Sequence, residues 1–407
     1  MKNTTLPESA TRGWVVLAGF LTFMITILAL KHYQVQDRTI AAMISIGATV
    51  VVLAVLDIFV VKVHRRESTG LDWSKNDPSI SRTLTKFIGL LGSIGFIAFL
   101  YWLFPEYHGS FYDSFYEFFW MILPWWLVLS LPYIYILDSK QKSPRDSYYQ
   151  MGSLVMLKFD KVNFAEIWQH LLGWLVKGFF LPLMFTYLGN DISKFIAFDF
   201  STIVDFKTFF DFTFDNLFLF DVGIVSMGYI MSLKLLDSHL RSTEPTMRGW
   251  LVAVICYQPF WSLVGKQYID YVSPKGWGYW FSDSPTLYAL WGSMILILYG
   301  IYLWASVMFG LRFSNLTHRG ILTNGPYRYT KHPAYVSKNI AWWFTSVPFL
   351  VSESLAETIR RCFLVLLINF VYYLRAKTEE DHLGRDPIYV QYSKWIDEHG
   401  LFRWLKW

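Results

Sequence analysis

Long runs of apolar residues are the feature that most limits how this chain can fold. Stretches such as 14–30, 40–61 and 286–309 are long enough to cross about 30 Å of hydrocarbon at about 1.5 Å per helical residue. Charged residues make up only 16% of the 407 residues, whereas they make up about 25% of a soluble domain. The sequence therefore predicts an all-α integral membrane protein.

The order of the apolar runs predicts about ten membrane-spanning helices. They lie near 14–30, 40–61, 87–104, 118–137, 168–187, 216–235, 249–265 and 286–309, followed by a pair near 338–352 and 359–374. The last pair is short enough to form a helical hairpin instead of two full spans. The first run follows a polar tail without a small-residue cleavage site, so we expect it to be retained and not to act as a signal peptide.

Basic residues collect in alternate loops, at 62–86, 140–161, 234–248 and 312–338. The loops between them, such as 105–117, are acidic or nearly neutral. The positive-inside rule then predicts that the basic loops and both termini face the cytoplasm, which for a bacterial protein means the inner membrane. No nucleic-acid partner is expected. The two cysteines lie in separate apolar runs, so neither a disulfide framework nor a metal site is predicted.

Ionisable residues within apolar segments are costly and therefore informative. Lys177, in the fifth span, is expected to snorkel or to pair with Asp57 of the second span, with a substrate role as the alternative. Segment 195–221 sets five aspartates into an aromatic field: Asp199, Asp205, Asp211, Asp215 and Asp221. We predict an interfacial helix on the outer leaflet for this segment, and the alternative is a lid over a lipid-entry site.

Residues 325–339, GPYRYTKHPAYVSKN, form a polar and aromatic stretch at the mouth of an apolar run. The Asn-Gly-Pro step at 324–326 and the His-Pro step at 332–333 impose extended or turning backbone on either side of 327–329. These steps predict a loop stiffened by proline. Irregular backbone at a membrane face is tolerated where it lines a cavity or is buried in protein, so the loop is a candidate for a ligand pocket.

The segment that follows the hairpin, 375–407, is polar again. Residues 375–383 can continue the last helix, which places Arg375 and Glu379 on one face and Glu380 about 100° away. By itself this pattern is consistent with a solvated helix end that carries an i,i+4 ion pair. Gly384 and Pro387 are predicted to end the helix. Aromatic residues then recur every third residue and predict a short amphipathic helix along the membrane surface: Tyr389, Tyr392 and Trp395.

The two polar stretches together carry a recognisable order of motifs. Gly-Pro-Tyr-Arg-Tyr at 325–329 and His-Pro-x-Tyr at 332–335 precede the hairpin, and Arg-x-x-x-Glu-Glu-x-x-Leu at 375–383 and Tyr-x-x-Tyr at 389–392 follow it. This order resembles the isoprenylcysteine carboxyl methyltransferase family and the related phospholipid methyltransferases. The resemblance divides the chain into an N-terminal multi-span domain, 1–283, and a methyltransferase-like domain, 284–407. Two residues depart from the family pattern, Lys331 in place of the usual Arg and Ser337 in place of a common Gly.

The resemblance implies an integral-membrane methyltransferase that uses S-adenosylmethionine, bound on the cytosolic side. The catalytic candidates are His332 and Glu380. Arg375 is expected to pair with a carboxylate, either of the cofactor or of a neighbouring Glu. The residues implied to bind the cofactor are Tyr327, Tyr329, His332, Pro333, Tyr335, Arg375, Glu379 and Glu380.

The sequence leaves the methyl acceptor open. A sulfonium methyl is already activated, so the enzyme mainly aligns the reacting atoms and excludes water. A carboxylate acceptor needs no base, whereas an amine or a phenol must lose a proton, for which His332 or a Glu is the candidate. We expect a lipid or lipidated, membrane-embedded acceptor, and a role for residues 1–283 in shaping its cavity or in assembly.

Two other functions fit the sequence. One is an NADPH-dependent enzyme similar to sterol reductases, which resemble this chain in span number and in the C-terminal cofactor region. The other is a non-catalytic scaffold or a transporter. A transporter would be favoured by inverted repeats of broken helices, which the sequence does not display.

Overall fold

The computed structural model describes residues 5–271, 275–350 and 354–404. Two short strands, residues 242–243 and 317–318, pair antiparallel, with Ser242 opposite His318. The elements in chain order are α1 (Gly13–His32), α2 (Arg38–Val55), α3 (Ile80–Leu103), α4 (Asp113–Lys140), α5 (Ser147–Val155), α6 (Phe164–Ala197), α7 (Phe206–Ile230), β1 (Ser242–Thr243), α8 (Met247–Val254), α9 (Lys266–Tyr268), α10 (Trp277–Trp280), α11 (Pro285–Val307), β2 (Thr317–His318), α12 (Pro333–Ser346), α13 (Leu355–Leu383) and α14 (Pro387–His399).

Six segments in the described part of the chain are long and apolar enough to cross a membrane. They are α1, α2 with its continuation to Val61, α3, α4 with the preceding turn, α6 and α11. The prediction of an all-α membrane protein is confirmed. The count of ten spans is not confirmed, because α7 and α13 are more polar and α12 has only 14 residues. The predicted run 338–352 also extends to residues outside the described ranges.

The predicted span 249–265 is wrong. Helix α8 ends at Val254, and a turn that contains Pro259 separates it from a π-helical turn at Trp261–Gly265. Proline lacks a backbone donor and its ring clashes with the preceding turn, so an uninterrupted helix is disfavoured here.

The Asp-rich segment 195–221 is not a separate interfacial helix. It contains the end of α6, a short turn and the first part of α7, which begins at a capping box in which the carboxylate of Asp205 accepts from the backbone N of Thr208 at 2.8 Å. The second half of α7 is buried in the bundle, and Asp221 is only 6% exposed. The prediction failed because α7 packs against α6 and α11 and turns this carboxylate inward.

Helices α3 and α5 touch backbone to backbone. A Cβ atom added at Gly89 would lie 2.1 Å from the carbonyl oxygen of Tyr148, and one at Gly152 would lie 1.8 Å from that of Thr85. Small residues at such positions allow the close approach on which helix association in membranes depends.

Two buried arginines fix the loop that leads from α11 to the motif. Arg319 donates to the carbonyl oxygens of Gly228, Met231, Ser238 and Phe313. Arg312 donates to the carbonyl oxygens of Leu236 and Asp237. These bonds satisfy the backbone carbonyls where α7 ends. Part of the predicted basic loop 312–338 is therefore structural.

The expected pairing of Lys177 with Asp57 does not occur in the described part of the chain. The ammonium of Lys177 lies 5.5 Å from the centroid of the Trp174 ring. Asp57 is buried elsewhere, near Arg66 and Arg312. The two residues thus have different neighbours in the packed helices, which spacing along the chain does not reveal.

The two described ends of the chain meet beside the motif loop. The side chain of Gln391 donates to the carbonyl oxygen of Thr5 at 2.8 Å, and that of Thr323 donates to the carbonyl oxygen of Pro7 at 2.8 Å. Both ends therefore lie on the same side of the protein as the motif loop. That this side faces the cytoplasm stays a prediction.

Candidate functional site

The motif stretch is irregular from Gly325 to His332, as its prolines predict. The predicted loop over 325–339 is wrong beyond His332, because Pro333 starts a helix, a position in which proline is well tolerated. Gly325 adopts a left-handed conformation with φ of 54° and starts a short 3-10 turn that ends at Arg328. The hydroxyl of Tyr392 on α14 donates to the carbonyl oxygen of Tyr327 at 2.6 Å. Helix α12 begins at Pro333, immediately after His332. The loop is thus held between the start of α12 and the buried face of α14.

This contact corrects the prediction for α14. Tyr389, Tyr392 and Ile396 are buried together with Ile321, so the apolar face of α14 covers protein and does not lie along the membrane surface. The amphipathic pattern was correct, but the partner of the apolar face is the chain segment before the motif.

Helices α12 and α13 form the predicted hairpin. The indole of Trp343 donates to the side chain of Asn369 at 2.8 Å, and Asn369 donates to that of Asn339 at 2.8 Å. Helix α13 continues to Leu383 and is capped by Gly384, as expected. The antiparallel arrangement brings the acidic end of α13 back to the start of α12.

His332 and Glu380 meet across this hairpin. The Nε2 atom of His332 lies 3.0 Å from Oε1 of Glu380, and Lys377 donates to the other carboxylate oxygen at 3.0 Å. Burial raises the pKa of Glu380, but the bonds and charges of His332 and Lys377 outweigh it and lower the pKa to about 2. Glu380 is therefore anionic at neutral pH and fixes the orientation of the imidazole.

Glu379 lies on the other side of the same ring. It accepts a hydrogen bond from the hydroxyl of Tyr335, and its Oε2 atom is 3.7 Å from Nδ1 of His332. The rings of His332 and Tyr335 are nearly parallel, with centroids 5.6 Å apart. Two carboxylates and two rings thus form one rigid cluster.

Arg375 is buried, with 3% exposure, and has no carboxylate partner among the described residues. Its guanidinium lies 4.9 Å, 5.1 Å and 5.7 Å from the ring centroids of Tyr372, Tyr335 and Tyr257. One Nη atom donates to Asn315 at 3.3 Å, and the Nε atom has no hydrogen-bond partner in the described ranges. The ion pair with Glu379 that helix spacing suggested is not formed, because Arg375 turns toward the aromatic rings.

These side chains line one cavity of about 1310 Å³, including the space at its mouth. Of the sequence-predicted residues, the cavity wall contains Tyr327, His332, Tyr335, Arg375 and Glu379.

The other three predicted residues are not part of the wall. Glu380 lies behind His332, and Pro333 starts α12. Tyr329 is 57% exposed and faces away from the cavity. Lys331, one of the two departures from the family pattern, pairs with Asp397 of α14 at 2.8 Å.

Sequence reasoning missed several residues of the wall. They come from α11, from the segments around 257 and 315, and from α12 and α13: Tyr257, Tyr302, Asn315, Lys338 and Tyr372. Of these residues, only Lys338 was noted in the sequence, as the last basic residue of the loop 312–338. The others are single polar residues in apolar surroundings, and no spacing distinguishes them.

Most residues that line the cavity lie in a region that matches a known family. Residues 292–385 match the isoprenylcysteine carboxyl methyltransferase family. The match spans less than a quarter of the chain, from within α11 to just beyond α13. The chain has no significant match among curated proteins or among solved structures.

The match confirms the resemblance drawn from the order of the motifs. The isoprenylcysteine carboxyl methyltransferase region contains the motif loop, the hairpin and all eight predicted cofactor-binding residues. Together with the six apolar helices, it supports a membrane methyltransferase.

Proposed function

We propose that the protein is an integral-membrane methyltransferase that binds S-adenosylmethionine in the cavity between the motif loop and the end of α13. The observation that carries the proposal is the meeting, in one cavity, of a carboxylate–histidine cluster and a buried arginine that has no carboxylate partner among the described residues. The family match of the same residues supports it.

The residues present fit this cofactor. It carries one carboxylate, which complements the guanidinium of Arg375, whose Nε atom has no hydrogen-bond partner in the part of the chain that the structure describes. Its amino group and ribose hydroxyls are donors for Glu379, and the rings of Tyr327 and Tyr335 offer faces for the adenine. When bound, the cofactor supplies a methyl group that is already activated by its sulfonium.

The protein side chains then have separate tasks. Arg375 holds the carboxylate of the cofactor, Glu379 accepts from its amino group or ribose, and His332 belongs to the cavity wall beside Glu379. Glu380 does not line the cavity, so we assign it the positioning of His332 and not direct catalysis. Positioning and exclusion of water are the main requirements for transfer of an activated methyl group.

We further propose that residues 1–283 take part in the site. Glu244 and Tyr257 belong to this N-terminal region and line the cavity. The predicted boundary near 284 coincides with the Ser284 cap of α11. In this scheme the C-terminal region binds the cofactor from the cytosolic side, and the N-terminal region encloses a lipid or lipidated acceptor.

Calorimetry on the detergent-solubilised, full-length protein tests the proposal. We expect S-adenosylmethionine and S-adenosylhomocysteine to bind and NADPH not to bind. Binding of NADPH alone would indicate a reductase, and binding of none would favour a scaffold or a transporter. Glu379→Ala should weaken binding of S-adenosylhomocysteine, while the matched control Asp381→Ala, an exposed acid on the same helix, should leave it unchanged.

A further inference from the structure

A buried tyrosine–aspartate pair connects the N-terminal bundle to the cavity. The hydroxyl of Tyr302 on α11 donates to Oδ2 of Asp221 on α7 at 2.8 Å. Asp221 is 6% exposed, and Tyr302 lines the cavity. A carboxylate inside an apolar bundle is costly, which makes Asp221 a candidate for a functional role.

Lys338 places a positive charge beside this pair. Its ammonium lies 4.9 Å from the ring centroid of Tyr302, 5.7 Å from that of Trp342 and 5.8 Å from that of Tyr372. It lines the same cavity and forms no ion pair or hydrogen bond within the described ranges. The carboxylate of Asp221 is near enough to attract this ammonium, and the ammonium can also face a group bound in the cavity.

We propose that Tyr302, hydrogen-bonded to Asp221, takes the proton from a phenolic lipid, that Lys338 stabilises the resulting phenolate, and that this lipid is the methyl acceptor. The inference rests on the function proposed above. The phenol O–H proton passes to the oxygen of Tyr302 while the proton of Tyr302 passes to Asp221, which later releases it to solvent. The phenolate oxygen forms the new O–C bond as the C–S bond breaks, and the electron pair of that bond stays on sulfur.

The chemistry of the three groups favours a phenol over the other acceptors. A carboxylate arrives without a proton, so a proton relay would have no task. An amine is cationic before it loses its proton, and Lys338 would repel it. A phenol has a pKa near 10 in water, and an adjacent ammonium favours its ionised form. The rings of Trp342 and Tyr372 also suit an aromatic headgroup.

His332 is less suited to this proton transfer. Its Nε2 atom is engaged by Glu380 and its Nδ1 atom lies near Glu379. Both nitrogens are thus directed at carboxylates of α13, whereas the oxygen of Tyr302 keeps a lone pair for the cavity.

The test uses the full-length protein in nanodiscs with methyl-labelled S-adenosylmethionine and three probes of equal chain length, 4-dodecylphenol, dodecanoate and dodecylamine. We expect labelled methyl ether from the phenol and little product from the other two. Tyr302→Phe and Asp221→Asn should each lower kcat for the phenol by about 10²- to 10⁴-fold, the range for a positioned general base. Tyr299→Phe, one turn earlier on α11 and outside the cavity wall, is the matched control and should keep the rate.

The pH profile separates proton transfer from a structural role. The loss of kcat in Tyr302→Phe and in Asp221→Asn should shrink as the pH approaches about 10, where the phenol ionises without a base from the protein. The titratable groups that face Tyr302 and Asp221 are Lys338, Tyr257 and Tyr372. A loss that is equal at every pH would overturn the assignment.

A binding measurement gives an independent readout. The phenolate of 4-nitrophenol absorbs visible light, so its ionisation in the cavity can be followed without methyl transfer. We expect bound 4-nitrophenol to ionise at lower pH in the wild type than in Lys338→Met. Equal ionisation, or no binding, would contradict the role of Lys338.

The two proposals fail in different ways. If S-adenosylhomocysteine does not bind, the function itself is wrong. If it binds but the phenol is not methylated, or if dodecanoate or dodecylamine is the better acceptor, the phenol inference alone is wrong.

Discussion

Replacement of Arg375 by Met tests the cofactor site most directly. The guanidinium is buried against three tyrosine rings, and its hydrogen bond to Asn315 is long at 3.3 Å. Its Nε donor has no partner in the described chain. Methionine keeps an unbranched side chain against the rings and removes the charge.

The expected magnitude follows from the bond that is lost. Hydrogen bonds to charged groups contribute about 1.5–3 kcal/mol, which corresponds to a change of about 10- to 150-fold in a dissociation constant. The bond between Arg375 and a cofactor carboxylate lies in a buried setting, where screening by solvent is weak. We therefore expect the dissociation constant of S-adenosylhomocysteine to rise by about 10- to 150-fold.

The assay compares two ligands by calorimetry. S-adenosylhomocysteine carries the carboxylate, and adenosine lacks the whole amino-acid part. Arg375→Met should weaken the first and leave the second unchanged. Arg385→Met, which removes an exposed positive charge just beyond the end of α13, is the matched control and should alter neither.

Two results would refute this reasoning. An equal loss of affinity for both ligands would mean that Arg375 supports the shape of the cavity and does not bind a carboxylate. Unchanged affinity for S-adenosylhomocysteine would place the cofactor elsewhere. Thermal unfolding of each variant checks that the cavity is intact.

Three further predictions concern the same region and the helix packing. His332→Ala should weaken S-adenosylhomocysteine binding by about 1–3 kcal/mol, measured by calorimetry, because it removes a cavity wall and leaves two carboxylates adjacent. The pKa of Glu380 is lowered from 4.5 to about 2. The ionised carboxylate therefore stabilises the fold above pH 4.5, and this stabilisation is lost as the pH falls toward 2. The difference in melting temperature between wild type and Glu380→Gln should shrink over that range. Gly89→Ala should cost about 1–3 kcal/mol of stability in thermal unfolding, because the new methyl would meet the backbone of Tyr148, whereas Gly95→Ala, on the same helix with nothing within 4 Å, should be neutral.

A specific result would contradict each of these three predictions. Wild-type affinity in His332→Ala would remove the imidazole from the proposed site. A constant difference in melting temperature down to about pH 2 would mean that His332 and Lys377 do not stabilise the ionised form of Glu380. Equal stability of the two glycine variants would mean that α3 and α5 are not in backbone contact.

Local patterns in the sequence were sufficient for much of the fold. Helix length and hydropathy depend on consecutive residues, so the membrane class and six spans could be predicted. Pro326 and Pro333 constrain their own backbone, so the irregular stretch before Pro333 could be predicted. The start of α12 at Pro333 was missed, because proline also suits the first position of a helix. Gly384 and Pro387 ended α13 for the same local reason.

The spacing of side chains on a single helix was less informative. The i,i+4 pattern suggested that Arg375 pairs with Glu379, but the ring of Tyr372 on the same helix and two rings from other parts of the chain compete for the guanidinium. The apolar stripe of α14 was correct, yet it could not show whether protein or membrane covers it. The pattern of apolar residues on a helix shows which face is apolar, but it does not show what packs against that face.

The sequence by itself therefore determined an all-α membrane protein with a proline-stiffened motif loop, a hairpin and an acidic helix end. Tertiary structure decided which polar groups meet in the cavity. Asp221 and Tyr302 lie 81 residues apart, and only the packing of α7 against α11 joins them. Contacts of this kind depend on how helices rotate and pack against one another, and no short-range property of the chain encodes that choice.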